Sequence, residues 1–329
     1  MRILLTGCAG FIGFHAAKLL LAAGHDVIGL DNLNDYYDPA LKKLRLDILS
    51  TRKNFAFHHV NIADHEALSA AVKGQNITHI LHLAAQAGVR YSLENPRSYA
   101  QSNIIGHLNI LELARDMDGL EHLVYASSSS VYGDRIQTGF TGGFKEDDVN
   151  RSPASVYAAT KIGGEMLSES YSRLYDIPQT GLRFFTVYGP YGRPDMAYYM
   201  FIDKVLRGED ITLFAPDDMQ RDFTFIDDIT EVIPAILQRS PAPDDGRRHA
   251  LYNLGNSAPA RLNDLVAAVE QACGVTAITK VEPKQAGDVT RTFANIEKAR
   301  NDFGFNPTTS LVDGIKACTD WYKSYLNET

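Results

Sequence analysis

The chain has 329 residues, 45% of them hydrophobic and 22% charged, and a formal net charge of −8. This composition is ordinary for a globular enzyme, and the length allows either one elaborated domain or two lobes. The negative charge argues against nonspecific binding to nucleic acid or to anionic membranes. Cys8, Cys273 and Cys318 show neither metal-ligand spacing nor a disulfide framework, so we expect no metal site. Without a bilayer-length apolar run or a leader with a cleavage site, the sequence predicts a cytoplasmic protein.

The first part of the chain predicts a strand, a glycine-rich turn and a helix. The strand at 2–6 contains a continuous apolar run, which is typical of a buried parallel strand. Gly7 permits a tight turn, Gly10 lets a pyrophosphate approach the backbone, and Gly13 lets the helix pack close to the strand. The N-terminus of this helix would then face the phosphates with its free N–H groups. The pattern predicts dinucleotide binding.

A second strand at 26–30 ends in Asp31 and Asn32. A carboxylate at that position can accept hydrogen bonds from both hydroxyls of a ribose and would repel a 2′-phosphate. Asp31 therefore favours NAD over NADP as the cofactor.

Strands and helices continue to alternate through residue 117. The predicted elements are a polar loop at 34–39, a basic helix at 40–49, a strand at 55–60, a helix at 64–72, a strand at 79–83 and a long helix at 95–117. His82 is interpreted as a core histidine, and the small Ala84 and Ala85 suit a backbone that passes beneath a cofactor. Arg90 lies where a loop at the carboxyl edge of the sheet could meet an anion, although a surface arginine gives the same pattern.

A fifth strand at 122–126 runs into four serines followed by Val-Tyr-Gly, and a polar loop is predicted at 134–151. The next helix, at 155–176, carries Tyr157 and Lys161. Their i, i+4 spacing puts both side chains on one face of the helix, a turn apart. Tyrosine is a poor base at its reference pKa of about 10, and a nearby ammonium favours the phenolate. The pair suits hydride transfer from an alcohol.

Beyond a sixth strand at 180–185, the chain is predicted to build a smaller second lobe. It would contain a loop at 186–196, helices at 197–207, 229–238 and 262–272, strands at 211–214 and 251–254, and two final helices. The loop at 186–196 follows a strand, at the edge where such sheets bind ligands.

The G-x-x-G-x-x-G spacing, the serine run and the Tyr-x-x-x-Lys pair together resemble the extended branch of the short-chain dehydrogenase/reductase superfamily, over essentially the whole chain. The resemblance implies an α/β fold: a Rossmann-type doubly wound parallel sheet with a smaller C-terminal α/β substrate lobe. It assigns 1–186, with a return segment at about 222–256, to NAD binding, and 187–221 and 257–329 to the sugar nucleotide. It also implies that Ser128 hydrogen-bonds the reacting hydroxyl.

Within this superfamily, residues 34–39, 86–92 and 186–196 resemble those of the UDP-glucuronate 4-epimerases. The resemblance implies NAD-dependent conversion of UDP-glucuronate to UDP-galacturonate through a transient 4-keto sugar, with Tyr157 as base and then acid. It also implies that Thr186 and Arg193 hold the sugar carboxylate. Oxidation at C4 makes a β-keto acid that can lose CO2, and a bidentate arginine can keep the carboxylate out of the reactive alignment.

The resemblance supplies the full set of predicted site residues and a partner. The catalytic residues are Tyr157, Lys161 and Ser128. The cofactor-binding residues are Gly7, Gly10, Phe11, Ile12, Gly13, Asp31, Asn32, Asn61, Ile62, Leu83, Ala84, Ala85, Tyr157 and Lys161. The substrate-binding residues are Arg90, Ser128, Ser129, Tyr157, Thr186, Arg193, Arg221, Asp288 and Arg291, with the arginines 221 and 291 beside the diphosphate. Asn61 replaces the family's usual adenine-contacting aspartate. A homodimer through helices 95–117 and 155–175 is expected.

Alternative activities differ from this one at identifiable positions. A 4,6-dehydratase needs an acid/base pair just before Val-Tyr-Gly, where this chain has Ser129 and Ser130, and a UDP-glucuronate decarboxylase usually has a glutamate at the second of these. UDP-glucose 4-epimerases more often have asparagine at Thr186 and lack the Arg-Pro-Asp run. A non-catalytic nucleotide-binding relative would not need Tyr157 and Lys161. The decarboxylase and another UDP-sugar 4-epimerase stay as the alternatives.

Overall fold

A computed structural model describes residues 1–134, 143–148, 152–285 and 287–328. The predicted loop at 134–151 lies mostly outside these residues. The chain forms two compact units. The first consists of Met1–Val131, Arg151–Arg183 and Thr230–Tyr252, and the second of Tyr132–Asn150, Phe184–Ile229 and Asn253–Thr329.

The described residues contain strands and helices in the following order. The strands are β1 (Arg2–Thr6), β2 (Asp26–Asp31), β3 (Phe55–His59), β4 (His79–His82), β5 (His122–Ser128), β6 (Gln179–Phe184), β7 (Thr186–Tyr188), β8 (Ile211–Phe214), β9 (Gln220–Phe225), β10 (His249–Leu254), β11 (Pro259–Arg261) and β12 (Thr279–Glu282). The helices are α1 (Phe11–Ala22), α2 (Pro39–Ser50), α3 (His65–Val72), α4 (Tyr91–Glu94), α5 (Pro96–Tyr99), α6 (Gly106–Arg115), α7 (Val156–Tyr175), α8 (Ala197–Arg207), α9 (Ile226–Glu231), α10 (Ile233–Gln238), α11 (Leu262–Cys273), α12 (Glu297–Phe303) and α13 (Leu311–Glu328). None of the helices in the described ranges is both long and apolar enough to cross a bilayer.

The first unit is built on a seven-stranded sheet in the order β10-β6-β5-β4-β1-β2-β3. The pairings of β1 with β2 and β4, of β2 with β3, and of β4 with β5 are all parallel. The chain order reverses at β1, which lies between β2 and β4, and open α/β sheets bind ligands outside the carboxyl ends of the strands at such a point. The predicted fold class, a Rossmann-type doubly wound sheet, is confirmed.

The core of this unit explains why its strands read as continuous apolar runs. Leu4, Ile28, Ile80 and Leu123, from four adjacent strands, lie in one cluster and are almost completely buried. Helices cover both faces of a parallel sheet, so successive side chains on each strand meet apolar neighbours. The apolar stretches therefore identified these strands correctly.

The helix predicted at 95–117 is present as a continuous helical run, but it is not α-helical throughout. The chain instead forms α5, a π-helical turn at Ala100–Ile105 and then α6. Within the π-helical turn, the Asn103 side chain accepts a hydrogen bond from Gln86 N at 2.8 Å and donates to Gln86 O at 3.0 Å and to Thr160 Oγ1 at 3.1 Å. These bonds join segments far apart in sequence, so helical periodicity could not reveal them.

The second unit holds a three-stranded sheet, β11-β9-β7, and a two-stranded sheet, β12-β8. Part of the segment predicted as a loop at 186–196 is strand β7, because Thr186 pairs in parallel with Phe223 on β9. The single helix predicted at 229–238 is also divided, into α9 and α10. Pro234 lies in the first turn of α10, where its missing N–H is tolerated.

Candidate active site

The glycine-rich loop between β1 and α1 brings backbone segments into very close approach. A Cβ at Gly13 would lie 2.0 Å from the carbonyl oxygen of Gly7, and one at Gly10 would lie 3.0 Å from the same atom. Gly7 has a φ of +73°, and a Cβ there would be 2.8 Å from Ala84 N. Side chains at these positions would meet backbone rather than movable groups, so the loop requires all three glycines.

The N-terminus of α1 has the properties of an anion site. Gly10 is the N-cap residue and has no side chain to accept hydrogen bonds from the first N–H groups, which begin at Phe11 and Ile12. The helix has 12 residues, and the positive end of its dipole lies beside the loop. Together, the close backbone and this helix end fit the diphosphate of a dinucleotide.

Asp31 ends β2 beside the glycine loop. Its carboxylate accepts hydrogen bonds from Ala9 N at 3.1 Å and from Leu33 N at 2.9 Å, which fix its orientation. Asn32 follows, and its Oδ1 accepts from Asn34 N at 3.2 Å. An acidic group held at the end of the second strand fits the ribose of NAD.

Two buried cations at this edge were not among the predicted site residues. Lys42 and Arg45, on the helix predicted as basic, are 5% and 0% exposed. Lys42 Nζ donates to Asn34 O at 2.7 Å, and Arg45 Nη1 donates to Ala9 O at 2.8 Å and to Tyr37 Oη at 2.7 Å. Burial lowers the pKa of Lys42, and the Asp31 charge opposes that change. Their i, i+3 spacing, in register with buried leucines at 46 and 49, was the available signal.

Residues after β3 and β4 complete the predicted cofactor edge. Ala84 N donates to Thr6 Oγ1 at 3.1 Å, and this places Ala84, with its neighbours Leu83 and Ala85, at the end of β4. Asn61 is exposed, and its side chain accepts from Ala63 N at 3.0 Å within its own turn. Ile62 is buried in the core. The contact of residue 61 with adenine stays a prediction.

Helix α7 and strand β5 carry the predicted catalytic residues. Ser155 caps the helix by accepting a hydrogen bond from Ala158 N at 3.1 Å, which sets Tyr157 in the first turn. Lys161, one turn later, donates from Nζ to Ala126 O at 2.9 Å. Ala126 precedes Ser128 by two residues on β5, so this bond ties the tyrosine-bearing helix to the serine-bearing strand.

Lys161 is buried and lies close to the ring of Tyr157. Lys161 Nζ lies 5.9 Å from the centroid of the Tyr157 ring, and Tyr99 packs edge-on against the same ring at 6.0 Å. Burial lowers the pKa of Lys161 to about 8, while the charge of Glu165 opposes the shift. An ammonium this close stabilises the phenolate form of tyrosine.

The serine run continues from β5 into a 3₁₀ turn at Ser129–Tyr132. Ser128, the last residue of the strand, accepts a hydrogen bond from Ser130 N at 3.2 Å. Ser129 and Ser130 are hydroxyl groups at the positions where a dehydratase needs an acid and a base. Arg90, also in the first unit, is exposed and stands at the start of α4.

In the second unit, Arg193 lies in the loop after β7, the strand that Thr186 begins. Its guanidinium forms a bidentate pair with Asp195, through Nε to Oδ1 at 2.9 Å and Nη2 to Oδ2 at 2.7 Å. The predicted contact of Arg193 with the sugar carboxylate stays a prediction, and in this structure the guanidinium is paired with a carboxylate of the protein itself.

The structure brings Arg221 and Arg291 to adjacent extended segments of the second unit, because Gln220 forms a β-bridge with Arg291. Arg221 Nη1 donates to Thr290 O at 3.3 Å, and the Arg291 guanidinium lies 5.2 Å above the Phe293 ring. Asp288 precedes Arg291 by three residues in the same segment. Burial raises the pKa of Asp222 to about 6, and its carboxylate accepts backbone N–H groups that organise this region. Asp222 was not among the residues predicted from the sequence.

Known proteins resemble this chain over nearly its whole length. A family model described as GDP-mannose 4,6 dehydratase matches residues 4–318. Protein CapI of Staphylococcus aureus is 43% identical over the full length of both chains. UDP-glucuronate 4-epimerase 4 of Arabidopsis thaliana is 43% identical over 99% of this chain and 76% of that protein. The crystal structure of the Bacillus cereus UDP-glucuronic acid 4-epimerase, in complex with UDP-glucuronic acid and NAD, is 33% identical, covers 99% of this chain and 100% of that chain, and has a TM-score of 0.89.

A doubly wound sheet with this glycine loop and a Tyr-x-x-x-Lys helix is the architecture of an extended short-chain dehydrogenase/reductase. The chain belongs to the GDP-mannose 4,6 dehydratase family of that superfamily, in the group that contains the UDP-glucuronate 4-epimerases. The resemblance predicted from the sequence is confirmed.

Proposed function

We propose that this protein is an NAD-dependent UDP-glucuronate 4-epimerase, which converts UDP-glucuronate to UDP-galacturonate through a transient 4-keto sugar. The observation that supports the reaction type is the Lys161–Ala126 hydrogen bond, which ties the helix that carries Tyr157 to the strand that ends in Ser128. The choice of sugar is supported by the relatives named UDP-glucuronate 4-epimerase, which match nearly the whole chain at 42–44% identity.

In the proposed mechanism, Tyr157 moves the proton. The glycine loop and Asp31 would hold NAD, which would supply a reversible acceptor for the hydride on C4. The Tyr157 phenolate takes the proton of the C4 hydroxyl, and the Ser128 hydroxyl donates a hydrogen bond to the same oxygen. Lys161 stabilises the phenolate in that step. After the keto sugar turns over, Tyr157 returns the proton, so the reaction needs no further base.

The remaining predicted residues would bind the rest of the substrate. Thr186 and Arg193 would hold the sugar carboxylate, and Arg221 and Arg291 would flank the diphosphate. Lesser contacts are assigned to Asp288 near the nucleotide's sugar, to Ser129, and to Arg90. The proposal keeps 1–186 with 222–256 as the NAD-binding part of the chain, and 187–221 with 257–329 as the sugar-nucleotide-binding part.

The family-model name does not imply dehydration in this chain. Ser129 and Ser130 carry hydroxyls that are not acidic enough at neutral pH to remove water from the sugar. Decarboxylation, and epimerisation of a neutral UDP-sugar, stay as outcomes that the assay below distinguishes.

We also propose a homodimer through the helical segments predicted at 95–117 and 155–175. Large apolar side chains are exposed on α4, at the end of the π-helical turn and on α7, where a second copy would cover them. They are Leu93, Ile105, Met166 and Leu174.

The cysteines at positions 8, 273 and 318 are free thiols, which supports the prediction of a cytoplasmic location.

The test is to incubate the purified protein with UDP-glucuronate and to separate UDP-galacturonate from UDP-pentoses by chromatography. UDP-galacturonate should form, and Tyr157→Phe should lower kcat by about a thousandfold or more, because the proton acceptor is lost. Unchanged turnover in Tyr157→Phe would refute the mechanism. A UDP-pentose as the main product would identify a decarboxylase instead.

A further inference from the structure

A buried ion pair lies directly behind the Tyr157–Lys161 pair, and the reaction described above gives it no role. Arg183 on β6 donates from Nε to Glu165 Oε1 and from Nη2 to Oε2, both at 2.8 Å. The two side chains are 7% and 3% exposed. Ser127 Oγ also donates to Glu165 Oε1, at 2.5 Å. Three donors therefore hold this carboxylate rigidly in the interior.

Glu165 is linked to Lys161 through helix α7, and Ser127 is linked to it through strand β5. Glu165 follows Lys161 by four residues on α7, so their side chains share one face of the helix, a turn apart. Ser127 directly follows Ala126, whose carbonyl accepts the hydrogen bond from Lys161 Nζ. The carboxylate is thus fixed relative to the ammonium through the helix on one side and through β5 on the other.

Stability alone does not explain a buried ion pair of this kind. Two charges removed from water are often no more stabilising than apolar residues of similar volume. A fully buried lysine has the complementary difficulty, because burial disfavours its charged form. A fixed anion one helical turn away counteracts that effect.

We infer that Glu165 is a positioning residue for the reaction: its carboxylate, fixed by Arg183 and Ser127, is the counter-charge that keeps the Lys161 side chain an ammonium beside Tyr157. The inference rests on the proposed roles of Tyr157 and Lys161. In this arrangement Arg183 and Ser127 act on catalysis only through Glu165.

Other titratable groups also face Lys161, and they keep one protonation state through the neutral range. His82 on β4, His107 on α6 and Tyr125 on β5 line the small cavity beside it. Burial lowers the pKa of His107 to about 3 and that of His82 well below its usual value, and it raises the pKa of Tyr125. Arg183 stays charged at all these pH values. Between pH 6 and 9, Lys161 is therefore the group near Tyr157 whose charge Glu165 controls.

Two substitutions at one position separate charge from shape. Glu165→Gln keeps the size and the acceptor for Ser127 but loses the charge, whereas Glu165→Asp keeps the charge and disturbs the contacts with Arg183. In Glu165→Gln, the pKa of Lys161 should fall by about one pH unit from its value of about 8. Activity should then fall about fivefold at pH 8 and change little at pH 6.5, since most lysines are still charged there. Glu165→Asp should lose stability without moving the pH midpoint.

The second readout does not depend on turnover. The protein is labelled with 13C and 15N at lysine, and the Lys161 side-chain signal, assigned with Lys161→Arg, is titrated by NMR. If Glu165→Gln does not fold because Arg183 is left unpaired, the double variant Glu165→Gln/Arg183→Gln replaces it, and its midpoint should still fall.

An unchanged Lys161 midpoint in the charge-removing variants would overturn the inference. An equal fall in Glu165→Asp would do so too, because it would assign the effect to shape. Failure of the proposed function is a different result: the wild-type protein would not epimerise UDP-glucuronate, while the NMR titration would still report on the pair.

Discussion

Asp195 occupies the Nε and Nη2 edge of Arg193, with hydrogen bonds of 2.9 and 2.7 Å. This side-on bidentate geometry is also the one in which an arginine holds a sugar carboxylate. Two carboxylates on the same edge repel each other, so the protein supplies a competitor for the substrate that Arg193 is proposed to bind. The pair gives the cation a counter-ion, and an uncharged sugar has no carboxylate with which to replace it.

We expect Asp195→Asn to strengthen binding of UDP-glucuronate, because the competing charge is removed. The pair is about a quarter exposed, so the effect is moderate, about 1 kcal/mol or a fivefold lower KM. Steady-state kinetics measures it. Asp320→Asn, which breaks the exposed pair with Lys316, is the matched control and should leave KM unchanged. A higher KM for Asp195→Asn would show that Asp195 orients Arg193 rather than competing with the substrate.

Arg193→Gln should raise the KM for UDP-glucuronate by about 30- to 150-fold. This corresponds to the loss of about 2–3 kcal/mol of binding free energy from charge-assisted hydrogen bonds. Because the freed carboxylate can rotate into alignment with the C4 carbonyl, some product should become UDP-pentose. Chromatography of the products checks both effects. Unaltered kinetics with no pentose would remove Arg193 from the carboxylate site.

The pH dependence of the wild-type enzyme should have an alkaline limb near the Lys161 pKa of about 8. As pH rises through that value, Lys161 loses its proton, the phenolate of Tyr157 loses its stabilising cation, and kcat/KM falls. Lys161→Arg is the sharp control, because a guanidinium stays charged in this range and the limb should disappear. The rate profile between pH 6 and 9.5 gives the answer. A limb of the same midpoint in Lys161→Arg would assign it to another group.

Gly13→Ala should abolish NAD binding and destabilise the first unit by about 1–3 kcal/mol, the usual cost of overpacking. The added methyl would lie 2.0 Å from the Gly7 carbonyl, which is backbone and cannot rotate away. Gly164→Ala is the matched control, since its methyl would meet only the His107 ring at 3.7 Å. Thermal unfolding and fluorescence titration with NAD compare the two. Retained NAD affinity in Gly13→Ala would contradict the role given to the loop.

Met166→Arg should shift the proposed homodimer toward monomer, because it places a charge in the apolar face of α7. Met166 is 59% exposed in the single chain. Val281→Arg, at a residue 67% exposed on β12, is the control and should leave the mass unchanged. Light scattering after size exclusion measures the assembly. A dimer that persists in Met166→Arg would place the interface elsewhere.

Local patterns predicted much of the first unit. Apolar runs located β1, β2, β4 and β5 because both faces of those strands are buried, and the glycine spacing located the loop because only glycine fits there. The i, i+4 pair Tyr157 and Lys161 was recognisable because helical geometry alone places both residues on one face.

The same reasoning failed where distant segments determine the structure. Asn103, in the π-helical turn, hydrogen-bonds Gln86, and Thr186 in β7 pairs with a strand 37 residues later. Neither contact can be identified from the local sequence. The π-helical turn was therefore predicted as part of a regular helix, and β7 was predicted as a loop.

The sequence by itself determined the fold class and the family, and it supplied the candidates for the reacting groups, because these depend on residue type and short spacing. Only the tertiary structure decided what those groups are paired with. Lys42 and Arg45 are buried, Arg183 is paired with Glu165 on the helix that carries Lys161, and Arg193 is paired with Asp195. The physical reason is that a charged residue's role is set by the charges and dielectric around it, and folding assembles these from separate segments.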